Sequence, residues 1–174
     1  MTMPILTAVT HADLISDVRA LAALIDRDAA WRPTLLVGVG RGGLVPAVYL
    51  SHAAGVPMES VDYSGHDDAR VAPAITRLAA LTRDGARLLF VDDINDSGRT
   101  IAQLRTLLEQ AGAPRGAVRF ATLIDNRGSA ARVEWAARTI DRAVTKDWFV
   151  FPWEALAPAT SIAADVAAVP ERTA

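Results

Sequence analysis

The clearest potential for chemistry lies in a short acidic and hydroxyl-rich segment, residues 91–100, with the sequence VDDINDSGRT. Asp92 and Asp93 are adjacent within it, and neighbouring carboxylates repel each other unless a cation or hydroxyl donors compensate their charge. Such a pair can be an ordinary solvated strand end. It can equally hold the vicinal hydroxyls of a ribose, with help from a metal ion.

The residues that follow the aspartate pair favour the second interpretation. They combine small side chains, a glycine and two hydroxyls with a run of backbone N–H groups that opens a predicted helix. Amides and the helix dipole both favour an anion, so this segment suits a phosphate monoester. Carboxylates for a sugar diol directly before a phosphate site predict a ribose 5-phosphate ligand. The candidate phosphate residues are Asp96, Ser97, Gly98, Arg99 and Thr100.

The elements around this segment predict an α/β protein. Apolar runs alternate with helical patterns, which is typical of a parallel sheet covered by helices on both faces. Ligands of such sheets bind at the carboxyl ends of the strands. Thr10 and Asp13 form a capping box that predicts the start of the first helix. Strands are predicted over 35–39, 58–63, 88–91, 118–124 and 148–151, and further helices over 44–54, 75–81 and 101–108.

Residues 91–100 strongly resemble the signature of the type I phosphoribosyltransferases: an apolar strand, two acids, two variable residues and Asp-[Ser/Thr]-Gly-x-Thr. The resemblance implies a central parallel sheet flanked by helices, with a small hood or flap. It implies that Asp92 and Asp93 bind the ribose hydroxyls directly or through Mg²⁺. It also implies that residues 96–100 hold the 5-phosphate, and that Asp96 lies near the base and assists its proton transfer.

A second segment, residues 40–43, follows the strand predicted over 35–39. A glycine turn in this position is often only a tight connection. Beside the acidic segment, it resembles the pyrophosphate loop of the xanthine–guanine phosphoribosyltransferases. The resemblance implies that Gly42 lets the backbone approach the diphosphate and that Arg41 binds and stabilises it with a bidentate charge.

A third segment, residues 146–154, resembles the base-binding segment of guanine-type enzymes. The resemblance implies that Trp148 stacks on the purine and that the backbone of Phe149 pairs with its edge. The alternative is that these are core aromatic residues. Where the family usually has a lysine that donates to the purine 6-oxygen, this chain has Asn126 followed by Arg127. Either can donate a hydrogen bond, so the identity of the base stays open.

The resemblance also predicts a flap over 64–87, in which Arg70 would contact a phosphate. His66, Asp67 and Asp68 could suggest a metal cluster, but we interpret them as solvated flap residues. The tail, residues 155–174, is rich in alanine and is compatible with a docked helix or with disorder.

The length and composition limit the number of domains and the kinds of partner that we expect. The 174 residues suffice for one domain, 1–174, and their 51% hydrophobic content is ordinary for a folded protein. A net charge of −2 argues against nucleic acid as a partner, and the lack of cysteine excludes disulfides and thiolate sites. Without a signal peptide or a membrane-spanning apolar run, a cytoplasmic protein without a membrane partner is expected. The resemblance implies a homodimer or homotetramer.

These observations predict an enzyme of purine salvage. It would use Mg²⁺ and phosphoribosyl pyrophosphate (PRPP) to transfer 5-phosphoribosyl to guanine, xanthine or hypoxanthine, with release of pyrophosphate. One alternative is a regulatory protein of the same fold that senses PRPP or a nucleotide. Another is a phosphoribosyltransferase for a non-purine acceptor, which Asn126 keeps open.

Overall fold

The computed structural model describes residues 5–63 and 68–168. Strands and helices alternate along most of the chain, as the sequence predicts. The strands are β1 (Leu6–Ala8), β2 (Leu35–Val39), β3 (Met58–Val61), β4 (Leu88–Asn95), β5 (Val118–Asn126), β6 (Trp135–Ile140) and β7 (Trp148–Val150). The helices are α1 (His11–Arg27), α2 (Gly40–Ala54), α3 (Asp68–Arg83), α4 (Arg99–Gln110) and α5 (Ala159–Ala168), with a 3₁₀ turn at Pro152–Glu154.

The main sheet has five parallel strands in the order β3-β2-β4-β5-β6. The chain order reverses between β2 and β4, which places the topological switch point between these two strands. Crevices at such points are where open α/β sheets bind their ligands. The predicted central parallel sheet flanked by helices is confirmed.

Both faces of the sheet are buried because successive side chains of a strand point to opposite sides. On β2, Leu36 packs in one cluster and Val37 in the other. On β4, Val91 packs in the cluster that includes α1 and α2, whereas Phe90 packs in the cluster that includes α3 and α4. The continuous apolar runs of these strands follow from this two-sided burial.

The predicted start of α1 is confirmed by its capping geometry. The Thr10 hydroxyl accepts a hydrogen bond from the Asp13 N–H at 3.1 Å, and the Asp13 carboxylate accepts one from the Thr10 N–H at 2.9 Å. Hydrogen bonds to the Asp13 carboxylate from the Thr10 hydroxyl, at 2.6 Å, and from the Thr10 N–H hold the pKa of Asp13 below its ordinary value. The cap fixes where α1 begins, and its apolar stripe then lies on the sheet.

Two elements differ from the prediction in ways that matter for the site. The fourth strand continues to Asn95, so Asp92 and Asp93 lie in β4 and not in a loop after it. Helix α2 begins at Gly40, so the glycine segment is its first turn, and Pro46 lies further inside the helix than predicted. Strand β6 was not predicted, because it has few large apolar residues and only half-buried positions over most of its length.

Most of the segment predicted as a flap, residues 64–87, is helical. Residues 68–83 form α3, whose Val71, Ile75 and Leu78 are buried in the core. This burial attaches the helix to the sheet, and closure of the segment over the site stays a prediction. Residues 64–67 and the side chain of Asp68 lie outside the described part of the chain, so the interpretation of His66, Asp67 and Asp68 as solvated stays a prediction.

A small hood is nevertheless present, made from the two ends of the chain. Strands β1 and β7 pair in parallel as a separate two-stranded sheet. The Thr7 hydroxyl donates to the Asp147 carboxylate at 2.5 Å beside this pairing. Of the tail, residues 159–168 form α5, and residues 169–174 lie outside the described part. Among the described helices, none has both the length and the apolar character needed to cross a bilayer.

Gly43 explains how α2 can begin so close to β4. A Cβ atom built on Gly43 would lie 2.0 Å from the Val91 carbonyl oxygen and 3.1 Å from the Asp92 Cα. Both neighbours are backbone atoms of a central strand, which cannot move aside. The absent side chain therefore lets the first turn of α2 lie directly on the strand that carries the aspartate pair.

We predict that Gly43→Ala lowers the free energy of unfolding by about 3 kcal/mol or more, because the added methyl overlaps a fixed backbone. Gly128→Ala is the matched control, since a Cβ there meets nothing closer than 3.6 Å. Urea unfolding of both variants measures the difference. Equal midpoints for the two variants would contradict the close packing described for Gly43.

Candidate active site

Two neighbouring cavities open at the carboxyl ends of the central strands, and Asp93 and Glu154 line both. The smaller has a volume of about 220 Å³ and the larger about 650 Å³. Lining residues of the smaller cavity include Asp92, Asp93, Thr100, Arg142, Trp148, Phe149 and Glu154. Lining residues of the larger include Gly40, Arg41, Gly42, Asp62, Asp93, Glu154 and Asp165.

The aspartate pair forms one wall of the smaller cavity, and Asp93 also lines the larger one. The Asp92 carboxylate accepts a hydrogen bond from the Asp93 N–H at 3.0 Å, and the Asp93 carboxylate accepts one from the Ile94 N–H at 2.6 Å. Burial, reinforced by the adjacent Asp93 carboxylate, raises the pKa of Asp92 well above its ordinary value. A cation or a pair of hydroxyl donors at this wall would relieve that cost.

The two segments that the sequence analysis singled out meet in space. A Cβ atom on Gly42 would lie 2.4 Å from the Asp93 Oδ2 atom, so the glycine segment and the acidic segment are in direct contact. Arg41, beside Gly42, is exposed and lines the larger cavity. Helix α2 has no side-chain cap hydrogen bond at its start, and the carboxylate that lies against its first turn is that of Asp93 on β4.

The segment predicted to hold a phosphate is the entry to α4. Gly98 is the N-cap residue with φ of +87°, and no side chain caps the helix. A Cβ at Gly98 would lie 2.4 Å from the Ala131 N atom, so only glycine fits here on both conformational and steric grounds. Ser97, Gly98 and Thr100 thus surround a helix start that keeps its dipole available to an anion.

A polar network missed by the sequence analysis supports this segment from below. The Asn95 amide donates to the Asp125 carboxylate and to the Ala131 carbonyl, both at 2.7 Å. The Ser129 hydroxyl donates to the Asn95 Oδ1 atom at 3.1 Å. Asn95 occupies a variable position of the family signature, so nothing in that signature could have indicated its role.

Asp96 lies at the centre of a second network. Its carboxylate is 4% exposed and pairs with Arg142, which is 12% exposed. The Arg142 Nη2 atom lies 2.9 Å from Asp96 Oδ2, and its Nε atom lies 3.1 Å from Oδ1. Arg142 also donates from Nη1 to the carbonyls of Thr145 at 3.2 Å and Asp147 at 2.6 Å. This arginine, in the turn after the unpredicted β6, was not identified from the sequence.

The structure places Asn126 beneath the site and not at the cavity wall. Its amide donates to the Asp96 carbonyl at 3.0 Å, and its Oδ1 atom accepts from the N–H groups of Gly128 and Arg142 at 3.1 and 3.2 Å. The side chain is 6% exposed and its polar atoms are engaged by the backbone. The direct hydrogen bond to a base expected of Asn126 is therefore not what this geometry provides, and Arg127 beside it is exposed.

The aromatic segment forms the opposite wall. Trp148 and Phe149 lie on β7 in the hood and line the smaller cavity, as the sequence analysis expects. Phe149 also packs against the core, and the Arg142 guanidinium lies 5.4 Å from its ring centroid. Phe151 stacks on Trp153 at 4.8 Å. The core and cavity interpretations of these aromatics are thus both partly correct.

Arg70 stands apart from the residues described above. It lies on α3, is exposed, and pairs with Asp62 at 2.5 Å. Asp62 lines the larger cavity, so Arg70 is near this region through its partner. The chain thus gathers an acidic wall, a helix start without a side-chain cap and an aromatic wall at one edge of the sheet, with Arg41 exposed beside them.

Comparisons with known proteins agree with this geometry. The phosphoribosyl transferase domain family matches residues 8–158. A xanthine-guanine phosphoribosyltransferase of Cereibacter sphaeroides is 32% identical over 147 residues, which cover 79% of this chain and 80% of that protein. A second of that name from Gluconobacter oxydans is 34% identical over 155 residues, covering 84% and 83%.

Among solved structures, the purine phosphoribosyltransferase of Pyrococcus horikoshii aligns with a TM-score of 0.61 at 25% identity. The alignment covers 84% of this chain and 92% of that chain. The family match and these alignments each cover most of the chain. The chain therefore belongs to the phosphoribosyltransferase family.

Proposed function

We propose that this protein transfers the 5-phosphoribosyl group of PRPP to a 6-oxopurine base, giving the nucleoside monophosphate and pyrophosphate. One observation carries the proposal: the aspartate pair, Thr100 at the phosphate site and the Trp148–Phe149 wall line a single cavity. Sugar, 5-phosphate and base each have a complementary surface there. The xanthine-guanine activity in the names of the relatives supports the choice of base.

The ribose 5-phosphate would be held from two sides. The helix start at residues 97–100 receives the 5-phosphate, while the carboxylates of Asp92 and Asp93 face the vicinal hydroxyls. The diphosphate then points to the larger cavity, where Arg41 and the uncapped start of α2 meet its charge. The bond from the anomeric carbon to the diphosphate oxygen breaks, and the bond to a purine nitrogen forms. Positioning and charge stabilisation supply most of such catalysis.

The aspartate pair also suits Mg²⁺, a hard cation that prefers carboxylate oxygens and substrate phosphates. Asp92 and Asp93 offer such oxygens, and the raised pKa of Asp92 indicates a site whose negative charge lacks full compensation. Among the described residues, no group of three or more His, Asp or Glu side chains is close enough to hold a metal ion alone. When bound together with the diphosphate, Mg²⁺ would neutralise charge on the leaving group.

Asp96 would accept the proton that the base loses as its nitrogen attacks the sugar. Arg142 holds this carboxylate with hydrogen bonds to both oxygens. A carboxylate fixed in this way needs no reorganisation as the proton arrives.

The deciding experiment mixes the protein with PRPP and Mg²⁺ and follows pyrophosphate release with guanine, hypoxanthine, xanthine, adenine, uracil and orotate. We expect release with the 6-oxopurines and its loss after chelation of the metal. Binding of PRPP without release from any base would instead support a sensor of the same fold. Release with a pyrimidine alone would support the non-purine alternative.

We predict that Asp96→Asn lowers kcat for the active base by about a hundredfold or more, because the amide cannot accept the proton. The KM for PRPP should change little, since the phosphate site and the aspartate pair are retained. Asp84→Asn, at an exposed position, is the control for loss of one carboxylate. A near-normal kcat in the folded Asp96→Asn variant would rule out the proton-accepting role.

The raised pKa of Asp92 predicts a pH-dependent affinity for the Mg²⁺ complex of PRPP. As pH falls through this raised pKa, Asp92 takes up a proton and no longer attracts the cation, so binding weakens on the acidic side and strengthens towards neutral pH. Calorimetric titration at a series of pH values measures the profile. Asp92→Asn should weaken binding and flatten the profile, whereas a profile unchanged by this substitution would contradict the assignment.

A further inference from the structure

Arg142 is a buried arginine on the aromatic side of the smaller cavity. In the proposed reaction it has so far one role, which is to hold the Asp96 carboxylate. It lies in the turn after β6 and lines this cavity together with Trp148 and Phe149. Arginine in a nearly dry pocket is costly unless its charge is paired and its donors are satisfied. The pairing with Asp96 meets the first condition, and the donors determine what else Arg142 can bind.

A guanidinium has five N–H donors and no acceptor. Nε–H is shared between the two Asp96 oxygens, one Nη2 N–H also serves Asp96, and the two Nη1 N–H groups serve the carbonyls of Thr145 and Asp147. These hydrogen bonds use four of the five donors and fix the plane of the group. Among the described residues, the second Nη2 N–H is the donor that remains for a ligand.

The position of Arg142 is fixed by the backbone as well. Its N–H donates to the Asn126 Oδ1 atom at 3.2 Å, while the Asn126 amide donates to the Asp96 carbonyl at 3.0 Å. Asn126 therefore ties together the two residues of the buried ion pair. The Phe149 ring, 5.4 Å from the guanidinium carbon, supports the group from a further side. Because these contacts fix the guanidinium, its remaining Nη2 N–H can donate to an acceptor in one direction.

We propose that Arg142 is the specificity-determining residue that donates a hydrogen bond to the 6-oxygen of the base. The inference rests on the proposed function and supplies the donor that the sequence analysis sought at Asn126 and Arg127. A 6-oxo group accepts this hydrogen bond, and the positive charge strengthens it. The exocyclic amino group of adenine presents donors instead, so it could not accept the hydrogen bond from Arg142.

The test compares guanine with 2-aminopurine, which lacks both the 6-oxygen and the N1–H of guanine, in the wild-type protein and in Arg142→Met. The loss of N1–H is common to both proteins, so the change in preference between them reports on the 6-oxygen. The wild type should favour guanine in kcat/KM by about ten- to hundredfold, the range expected for a hydrogen bond to a charged donor. In Arg142→Met this preference should fall to within about threefold, because neither base then finds the donor. The KM for PRPP should stay close to the wild-type value.

Arg142→Lys serves as the second variant. It keeps a positive charge beside Asp96, whereas Arg142→Met removes the charge that pairs with this carboxylate. The lysine retains a donor without the planar fork, so we expect an intermediate preference for guanine. Arg132→Met, at an exposed position, controls for the loss of one positive charge and should keep the full preference. Arg127→Met tests the neighbouring candidate donor. The proposal would be overturned if this variant lost the preference for guanine over 2-aminopurine while both Arg142 variants retained it.

The outcomes also separate this inference from the proposed function. If the wild type releases no pyrophosphate with any base, the transferase proposal fails and the base-reading role fails with it. If the wild type is active on guanine but Arg142→Met and Arg142→Lys keep its preference over 2-aminopurine, only the role of Arg142 fails. A lower kcat with an unchanged preference would reduce Arg142 to a residue that positions Asp96.

Discussion

The burial of β4 on both faces is the constraint on which the rest of the site depends. Its residues 88–91 have no exposed surface, and core side chains surround them on both faces of the sheet. The aspartate pair therefore directly follows a fully buried stretch of strand. Helix α2 must start against this strand, and only a glycine at position 43 lets its backbone come close enough. Core packing therefore brings the glycine segment at the start of α2 against the aspartate pair.

The buried pair of Asp96 and Arg142 adds a second constraint of a different kind. Removing two charges from water is costly, and breaking such a pair by removing one partner typically costs about 3–5 kcal/mol. A protein that needed only stability at this place could use apolar side chains. The two proposals give the pair a geometric role instead: the carboxylate would accept the proton of the base, and the guanidinium would donate to its oxygen. Asn126 serves both because it bonds the backbone of each.

The sequence predicts those parts of the site that are contiguous in the chain. Asp92, Asp93 and residues 96–100 could be identified because strand, acids and phosphate segment follow one another, and the order itself reflects the shape of the ligand. Arg142 could not be identified in this way, since it reaches Asp96 from 46 positions away through the turn after β6. The half-buried strand β6 lacks the long apolar run that marks its neighbours. Asn126 was predicted in this region of the fold, but its side chain hydrogen-bonds to backbone groups. These partners are brought to it by the tertiary structure, so the sequence alone does not reveal them.

Charge is divided between the two cavities in a way that matches the parts of the proposed substrate. The shared wall of Asp93 and Glu154 is acidic, while positive groups stand on either side: Arg41 in the larger cavity and Arg142 in the smaller. An anionic diphosphate alone would meet repulsion at the shared wall, whereas its complex with a divalent cation would be attracted there and to Arg41 together. Under the proposed function, a neutral base in the smaller cavity would need no such compensation and would meet one oriented donor between aromatic side chains. The carboxylates that repel a bare diphosphate would then select its metal complex, and hydrogen bonding on the other side of that wall would select the base.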